Sequence, residues 1–360
     1  MNKLGLTKPD GRYMFLYSRR EIPRELRAPS PDGTPVRADP HLRWHPLRGE
    51  WVAYASHRNN RTFLPPPEYN PLAPSRPGDF PTELPAGEYD AAVFENRFPS
   101  MAPGATAKPD VGVPSRPADG VCEVVVFTQD PKASLSGLEL EHLELLIDVW
   151  ADRYAEISAR KNIQYIMPFE NRGVEMGVTL HHPHGQIYAY PFVPPVPARE
   201  LELQREHLQQ HGRGLLEDMA AAEIAGGGRV VAVTESAAAF VPVCARYPYE
   251  VWVMPRRAAP SFAALDARER KDLARTLKTV LMKYDALWQR PFPYLMVFHQ
   301  SPVNTREYPE AHLHAQIYPA LRSPGRLKYL AGTELGAGMF ANDCLPEEKA
   351  AELQAVKVNV

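Results

Sequence analysis

Twice in the chain two histidines alternate with a glutamine, in His182-Pro-His-Gly-Gln-Ile-Tyr188 and His312-Leu-His-Ala-Gln-Ile-Tyr318. On an extended strand alternate residues face the same way. His182, His184 and Gln186 are therefore expected on one side, as are His312, His314 and Gln316. Two imidazoles and an amide are costly to bury without partners. A histidine attacks phosphorus when one ring nitrogen is free and the other is held by a hydrogen bond. The carbonyl of a preceding residue can hold Nδ1–H while Nε2 points into a site. Gly185 would let the backbone approach a phosphate closely, and Gln186 would donate to a non-bridging phosphoryl oxygen. A third histidine there could protonate a leaving group, so glutamine favours group transfer over hydrolysis. One such pair alone could be a solvated strand or an incidental metal site. Two matched copies weigh against both.

The elements that must carry these motifs also come twice. The first copy has a strand at 122–127 and a helix with Leu143, Leu146, Ile147, Trp150, Tyr154 and Ile157 on one face. Strands at 163–167 and 182–188 follow. The second has a strand at 249–254, a helix carrying Leu273, Leu277, Val280, Leu281 and Tyr284, and strands at 294–298 and 312–318. His184 and His314 lie 130 positions apart, and so do Tyr154 and Tyr284. Equal offsets at two landmarks point to a duplicated strand–helix–strand–strand unit, mainly antiparallel. Residues 195–226 read as a polar, largely helical connector. Residues 64–119 are rich in proline and are expected to be mostly extended, with one clear strand at 91–95. A further strand is expected at 50–55.

The 360 residues are 44% hydrophobic and 23% charged, enough for a sizeable core. A formal net charge of −2 argues against a nucleic-acid surface or a polybasic membrane patch. No apolar run approaches the ~20 residues of a bilayer span, and residues 1–20 carry no signal-peptide core. Three scattered cysteines, Cys122, Cys244 and Cys344, give no disulfide framework. A cytoplasmic protein is expected.

The stretch Glu170-Asn-Arg-Gly-Val-Glu-Met-Gly-Val-Thr-Leu-His-His-Pro-His-Gly-Gln186 resembles the galactose-1-phosphate uridylyltransferase family, the transferase branch of the histidine-triad superfamily. Residues 43–52, 56–61 and 94–99 resemble its N-terminal half. Residues 291–294, His299 and residues 313–319 resemble its C-terminal half. The resemblance implies an α+β fold of duplicated histidine-triad-like units, forming a mainly antiparallel sheet with flanking helices and divided at 1–195 and 196–360. It implies His184 as the nucleophile, Gln186 as the phosphoryl-stabilising residue and His182 as their companion. Arg58 and Arg61 match arginines that clamp phosphate. Asn171, Gly177 and Thr179 match positions near the phosphates, and Asn96 a nucleoside contact. Arg97 departs from the aspartate usual beside it. Lys328 and Glu334 match the hexose-phosphate side, where Phe340 stands in place of a glutamine.

The resemblance also raises two metal sites. Many members hold zinc with a CxxC, a later histidine and the first histidine of HPH. Here residues 70–73 read Asn-Pro-Leu-Ala and 130–131 read Asp-Pro. That site is expected to be absent, since His182 alone cannot supply about four ligands. For the second site Glu200, His299 and His314 match ligands of one zinc or iron ion. The last ligand falls on Gln316, with His312 on the same strand face. A hydrogen-bonded polar cluster is the alternative. The function implied is transfer of UMP from UDP-glucose to galactose 1-phosphate through a uridylyl–histidine intermediate, giving UDP-galactose and glucose 1-phosphate, by a homodimer. The alternatives are a nucleotide-sugar or dinucleotide phosphorylase and a non-catalytic nucleotide-binding protein.

Overall fold

The computed structural model describes residues 1–60, 65–66, 69–76 and 78–360. Its strands are β1 (Asn2–Thr7), β2 (Tyr13–Ser18), β3 (His41–His45), β4 (Glu50–Tyr54), β5 (Ala91–Glu95), β6 (Ser115–Pro117), β7 (Val121–Val126), β8 (Tyr165–Arg172), β9 (His184–Tyr190), β10 (Val230–Val233), β11 (Ala237–Phe240), β12 (Val251–Pro255), β13 (Tyr294–His299), β14 (His314–Pro319), β15 (Leu321–Ser323) and β16 (Arg326–Leu327). Eleven of them form one sheet in the order β1-β2-β5-β7-β9-β8-β13-β14-β12-β11-β10. Every pairing in it is antiparallel. The two halves meet where β8 pairs with β13, from Phe169↔Val297 to Arg172↔Tyr294. On either side of this seam the order is mirrored: β7-β9-β8 faces β13-β14-β12. The duplicated unit of the sequence is thus a pseudo-dyad in the sheet.

The helices are α1 (Leu140–Ser158), α2 (Pro195–His211), α3 (Leu215–Gly226), α4 (Ala267–Leu287) and α5 (Pro346–Ala355). The repeated long helices α1 and α4 bury their apolar stripes in the main core. Trp150 of α1 packs there against Phe298 and Phe262, with ring centroids 4.9 and 5.6 Å away. A capping box starts α4: Asp266 accepts from the Glu269 amide at 2.8 Å, and Glu269 accepts from the Asp266 amide at 2.9 Å. Each landmark tyrosine is buried and donates to a main-chain carbonyl, though at non-equivalent positions of the two halves. Tyr154 donates to the Ser301 carbonyl and Tyr284 to that of Tyr249. Among the described residues no helix is long and apolar enough to cross a membrane.

Alternation along β9 sends Gly185, Ile187 and Ala189 into the core and leaves His184, Gln186, Tyr188 and Tyr190 on the other face. In β14, Ala315 and Ile317 enter the core. The register puts both glutamines in one row: Gln186 pairs with Phe169, Phe169 with Val297, and Val297 with Gln316. They stand three strand steps apart, about 14 Å at the usual strand spacing. Both strands start two residues later than expected, at His184 and His314 rather than at His182 and His312. His182 and His312 lie in the turns before them, so neither is a strand neighbour of its partner histidine.

Candidate active site

His184 opens β9 beside a cavity of about 350 Å³ whose walls include Arg58, Asn96, Arg97, Thr179 and Gln186. A carbonyl can only accept, so the 2.7 Å contact between His184 Nδ1 and the His182 carbonyl fixes the proton on Nδ1. The Nε2 lone pair is then free. Burial lowers the pKa of His184, with the bond to the His182 carbonyl acting the other way. At neutral pH the ring is uncharged, with Nε2 able to act as a nucleophile.

His182 is nearly inaccessible, and its burial brings its pKa down to about 4. Its Nε2–H donates to the Thr128 carbonyl at 2.7 Å, and its Nδ1 accepts from Asn70 Nδ2–H at 3.0 Å. It serves His184 through its main-chain oxygen. Gln186 is oriented in turn. The Phe98 amide donates to Asn96 Oδ1 at 2.8 Å, and Asn96 Nδ2 donates to Gln186 Oε1 at 3.3 Å. That leaves the Gln186 NH₂ as the group facing the cavity, a donor able to meet an anionic oxygen there. Arg58 is tied by Nη1 to the Phe98 carbonyl at 2.6 Å. Asn171 lines a cleft of about 80 Å³ next to His184, and its buried Oδ1 has no partner. Gly177 ends a short 3₁₀ turn at φ 75°, a left-handed conformation that suits glycine. Arg61 lies outside the described residues.

Gly185 has a different job from the expected one. It points into the core, away from the cavity. A Cβ there would sit 2.7 Å from Phe127 Cζ and 2.8 Å from the Phe169 carbonyl oxygen. The absent side chain lets β8 and Phe127 close against β9 behind His184.

Lys328 and Glu334 are brought together, but not to this cavity. Lys328 Nζ lies 3.2 Å from Glu334 Oε1, and Glu334 also accepts from the Ala331 amide at 3.0 Å. Neither lines the cavity or the cleft beside His184 within one chain. Phe340 packs on Tyr247 and under the Arg246 guanidinium. Asn342 spends its amide donor on the Ala245 carbonyl.

Several wall residues gave no sequence signal. Pro31, Asp32 and Glu83 line the cavity, held by a buried network at the β1–β2 turn. Lys8 donates to the Pro29 carbonyl at 2.6 Å and pairs with Glu83 at 2.9 Å. Arg12 bridges Asp10 and Glu83, each at 2.7 Å. Arg97 pairs with Asp32 at 2.7 Å across the same wall.

The second motif is closed. His299, His312, His314 and Gln316 are each at most 5% exposed. Glu200, from α2, approaches His299 at 3.6 Å and His314 at 3.8 Å. The amide of Gln316 donates to Glu200 Oε1 at 2.8 Å and to His314 Nε2 at 3.0 Å. Its orientation is locked, because Gln316 Oε1 accepts from Tyr318 OH, which accepts from Arg246 at 2.8 Å. His312 turns its Nε2 to the Pro255 carbonyl. In this orientation the Gln316 NH₂ faces Glu200 and His314, while Glu200 Oε2 and His299 Nε2 are buried without a hydrogen-bond partner. Among the described residues no group of three or more His, Cys, Asp or Glu is arranged to hold a metal.

Known proteins match this arrangement. The profile of galactose-1-phosphate uridyl transferase, N-terminal domain, matches residues 34–194, and that of its C-terminal domain matches 200–360. A galactose-1-phosphate uridylyltransferase from Thermotoga maritima is 36% identical, covering 89% of this chain and 99% of its own. A solved uridylyltransferase structure superposes with a TM-score of 0.79 at 33% identity, over 88% of this chain and 97% of that one. An ADP-glucose phosphorylase from Arabidopsis thaliana, solved with bound ADP-glucose, superposes at 0.66 with 25% identity, over 89% and 100%. With the HPHGQ strand seated on the duplicated sheet, the chain belongs to the galactose-1-phosphate uridylyltransferase family.

Proposed function

We propose that the protein transfers UMP from UDP-glucose to galactose 1-phosphate by a two-step exchange. Nε2 of His184 attacks the α-phosphorus, and glucose 1-phosphate leaves with the electrons of the broken P–O bond. The phosphate oxygen of galactose 1-phosphate then attacks the same phosphorus, UDP-galactose departs, and His184 regains its lone pair. The two displacements are nearly isoenergetic, so catalysis rests on positioning and electrostatics. The Gln186 NH₂ and the Arg58 guanidinium meet the charge on the phosphoryl oxygens. The observation that carries the reading is the bond of His184 Nδ1–H to the His182 carbonyl, which leaves Nε2 free beside the cavity.

Isotope exchange between UDP-glucose and glucose 1-phosphate, without galactose 1-phosphate, tests it. Exchange supports the two-step scheme; no exchange alongside full overall turnover refutes it. The likeness to an ADP-glucose phosphorylase favours a second reading, in which inorganic phosphate is the acceptor. Rapid release of UDP from UDP-glucose plus phosphate, with no transfer to galactose 1-phosphate, would establish that one instead. We further infer a homodimer, because Lys328 and Glu334 line no cavity with His184 in one chain. The three cysteines are free, which suits the cytoplasm. The Glu200 cluster is read as a hydrogen-bonded closure of the second motif rather than a zinc or iron site.

A further inference from the structure

Asn70 entered the sequence reading only as a residue standing where a thiol is missing. Its side chain makes two bonds. Oδ1 accepts from the Leu72 amide at 3.0 Å, the turn that asparagine favours. Nδ2–H donates to His182 Nδ1 at 3.0 Å. The second bond is possible only if His182 carries its proton on Nε2, and that proton is spent on the Thr128 carbonyl at 2.7 Å. Both ring nitrogens of His182 are thereby satisfied in one neutral tautomer. The main-chain oxygen of the same residue accepts His184 Nδ1–H at 2.7 Å. Leu72, at the far end of the turn, lines the cavity with Tyr69 and Pro71.

The second half supplies an internal comparison. His314 Nδ1–H bonds the His312 carbonyl and His312 Nε2 bonds the Pro255 carbonyl, the same pattern. There, however, His312 Nδ1 is buried with no partner. The bond that Asn70 provides is present in the half with an open cavity and missing in the half that is closed.

We propose that Asn70 is a positioning residue for uridylyl transfer: its amide fixes the ring and tautomer of His182, whose carbonyl in turn aims Nε2 of His184. This rests on the reading of His184 as nucleophile. Two variants separate its two bonds. Asn70→Ser keeps an acceptor for the Leu72 amide but cannot reach His182, and Asn70→Ala removes both. In single-turnover labelling by UDP-glucose, both variants should react at least ~10-fold more slowly at saturation. Asn70→Ser should keep the UDP-glucose KM within about twofold. The second readout is ¹⁵N-histidine NMR of the wild-type protein, with His182 assigned by its loss in His182→Gln. It should show a neutral Nε2–H ring at pH 7, exchanging between states in Asn70→Ser. Labelling of Asn70→Ser at the wild-type rate would overturn the proposal. So would an Nδ1–H or doubly protonated His182 in the wild type, whatever the variants do. If the wild type takes up no label at all, it is the assignment of His184 that fails.

Discussion

Replacing Gly185 by alanine tests how tightly the backbone closes behind His184. The added Cβ would meet Phe127 Cζ at 2.7 Å and the Phe169 carbonyl oxygen at 2.8 Å. The ring can yield a little. The oxygen belongs to β8, whose Phe169 is paired with Gln186, so relief requires β9 to move away from β8. Alanine in place of glycine gains about 0.4–1 kcal/mol from the unfolded chain, while overpacking costs about 1–3 kcal/mol. The net loss should be about 1–2 kcal/mol, or roughly 1–3 °C in Tm for a chain of this length. A shift of β9 also displaces His184 and Gln186, so first-order labelling by UDP-glucose should slow about 10-fold or more. Ala315 occupies the matching place on β14 and is fully buried. Ala315→Gly should cost up to about 1 kcal/mol from backbone entropy alone and leave labelling unchanged. If Gly185→Ala melts at or above the wild-type temperature and labels at the wild-type rate, the close packing behind His184 is wrong.

Other expectations follow from the same geometry. Because burial holds His184 below the usual imidazole range, labelling should be flat through neutrality and fall on acidification, with its acid limb below pH 6.5; a limb above 7 would contradict this. His182 is held near 4 when folded, so the folded chain binds fewer protons than the unfolded one between about 4 and 6.5. Its share of stability, about 3 kcal/mol, is complete above pH 6.5 and is lost as pH falls toward 4. Denaturant titrations across that window should show the decline in wild type and less of it in His182→Gln. Elemental analysis of protein purified without added metal should find well under one zinc or iron per chain; stoichiometric metal that disappears in Glu200→Ala would show that Gln316 turns its oxygen inward. With Phe340 packed on Tyr247 and Asn342 tied to Ala245, discrimination between sugars should be loose. Glucose 1-phosphate and galactose 1-phosphate should both accept UMP, and Glu334→Ala should lower kcat/KM for both by ~10-fold or more.

The duplicated unit is legible in the sequence because both copies keep the helical apolar face, the tyrosine and the HxHxQIY strand at one offset. His184 as candidate nucleophile is legible because that chemistry needs a particular residue on a particular strand. Other features depend on contacts between distant segments. The β1–β2 hairpin reads only as a polar terminus, since its role comes from pairing Lys8 and Arg12 with Glu83, over 70 residues away. Gly185 reads as a phosphate approach, yet the face it needs free is set by Phe127 and the β8 backbone. Asn70 reads as a lost ligand, because its bond to His182 spans 112 positions. Strand β9 begins at His184 rather than His182, and β14 likewise begins at His314, so the late start is common to both copies whether proline (Pro183) or leucine (Leu313) stands before it.

Covalent capture of UMP on Nε2 of His184 is tested most directly by intact-protein mass after incubation with UDP-glucose alone, quenched in base and mapped by peptide. The prediction is a mass increase of one UMP per chain, located on His184, stable to base, labile to acid and absent in His184→Asn. An unchanged mass in protein that still converts UDP-glucose and galactose 1-phosphate at full rate, or the adduct on any other residue, would contradict it.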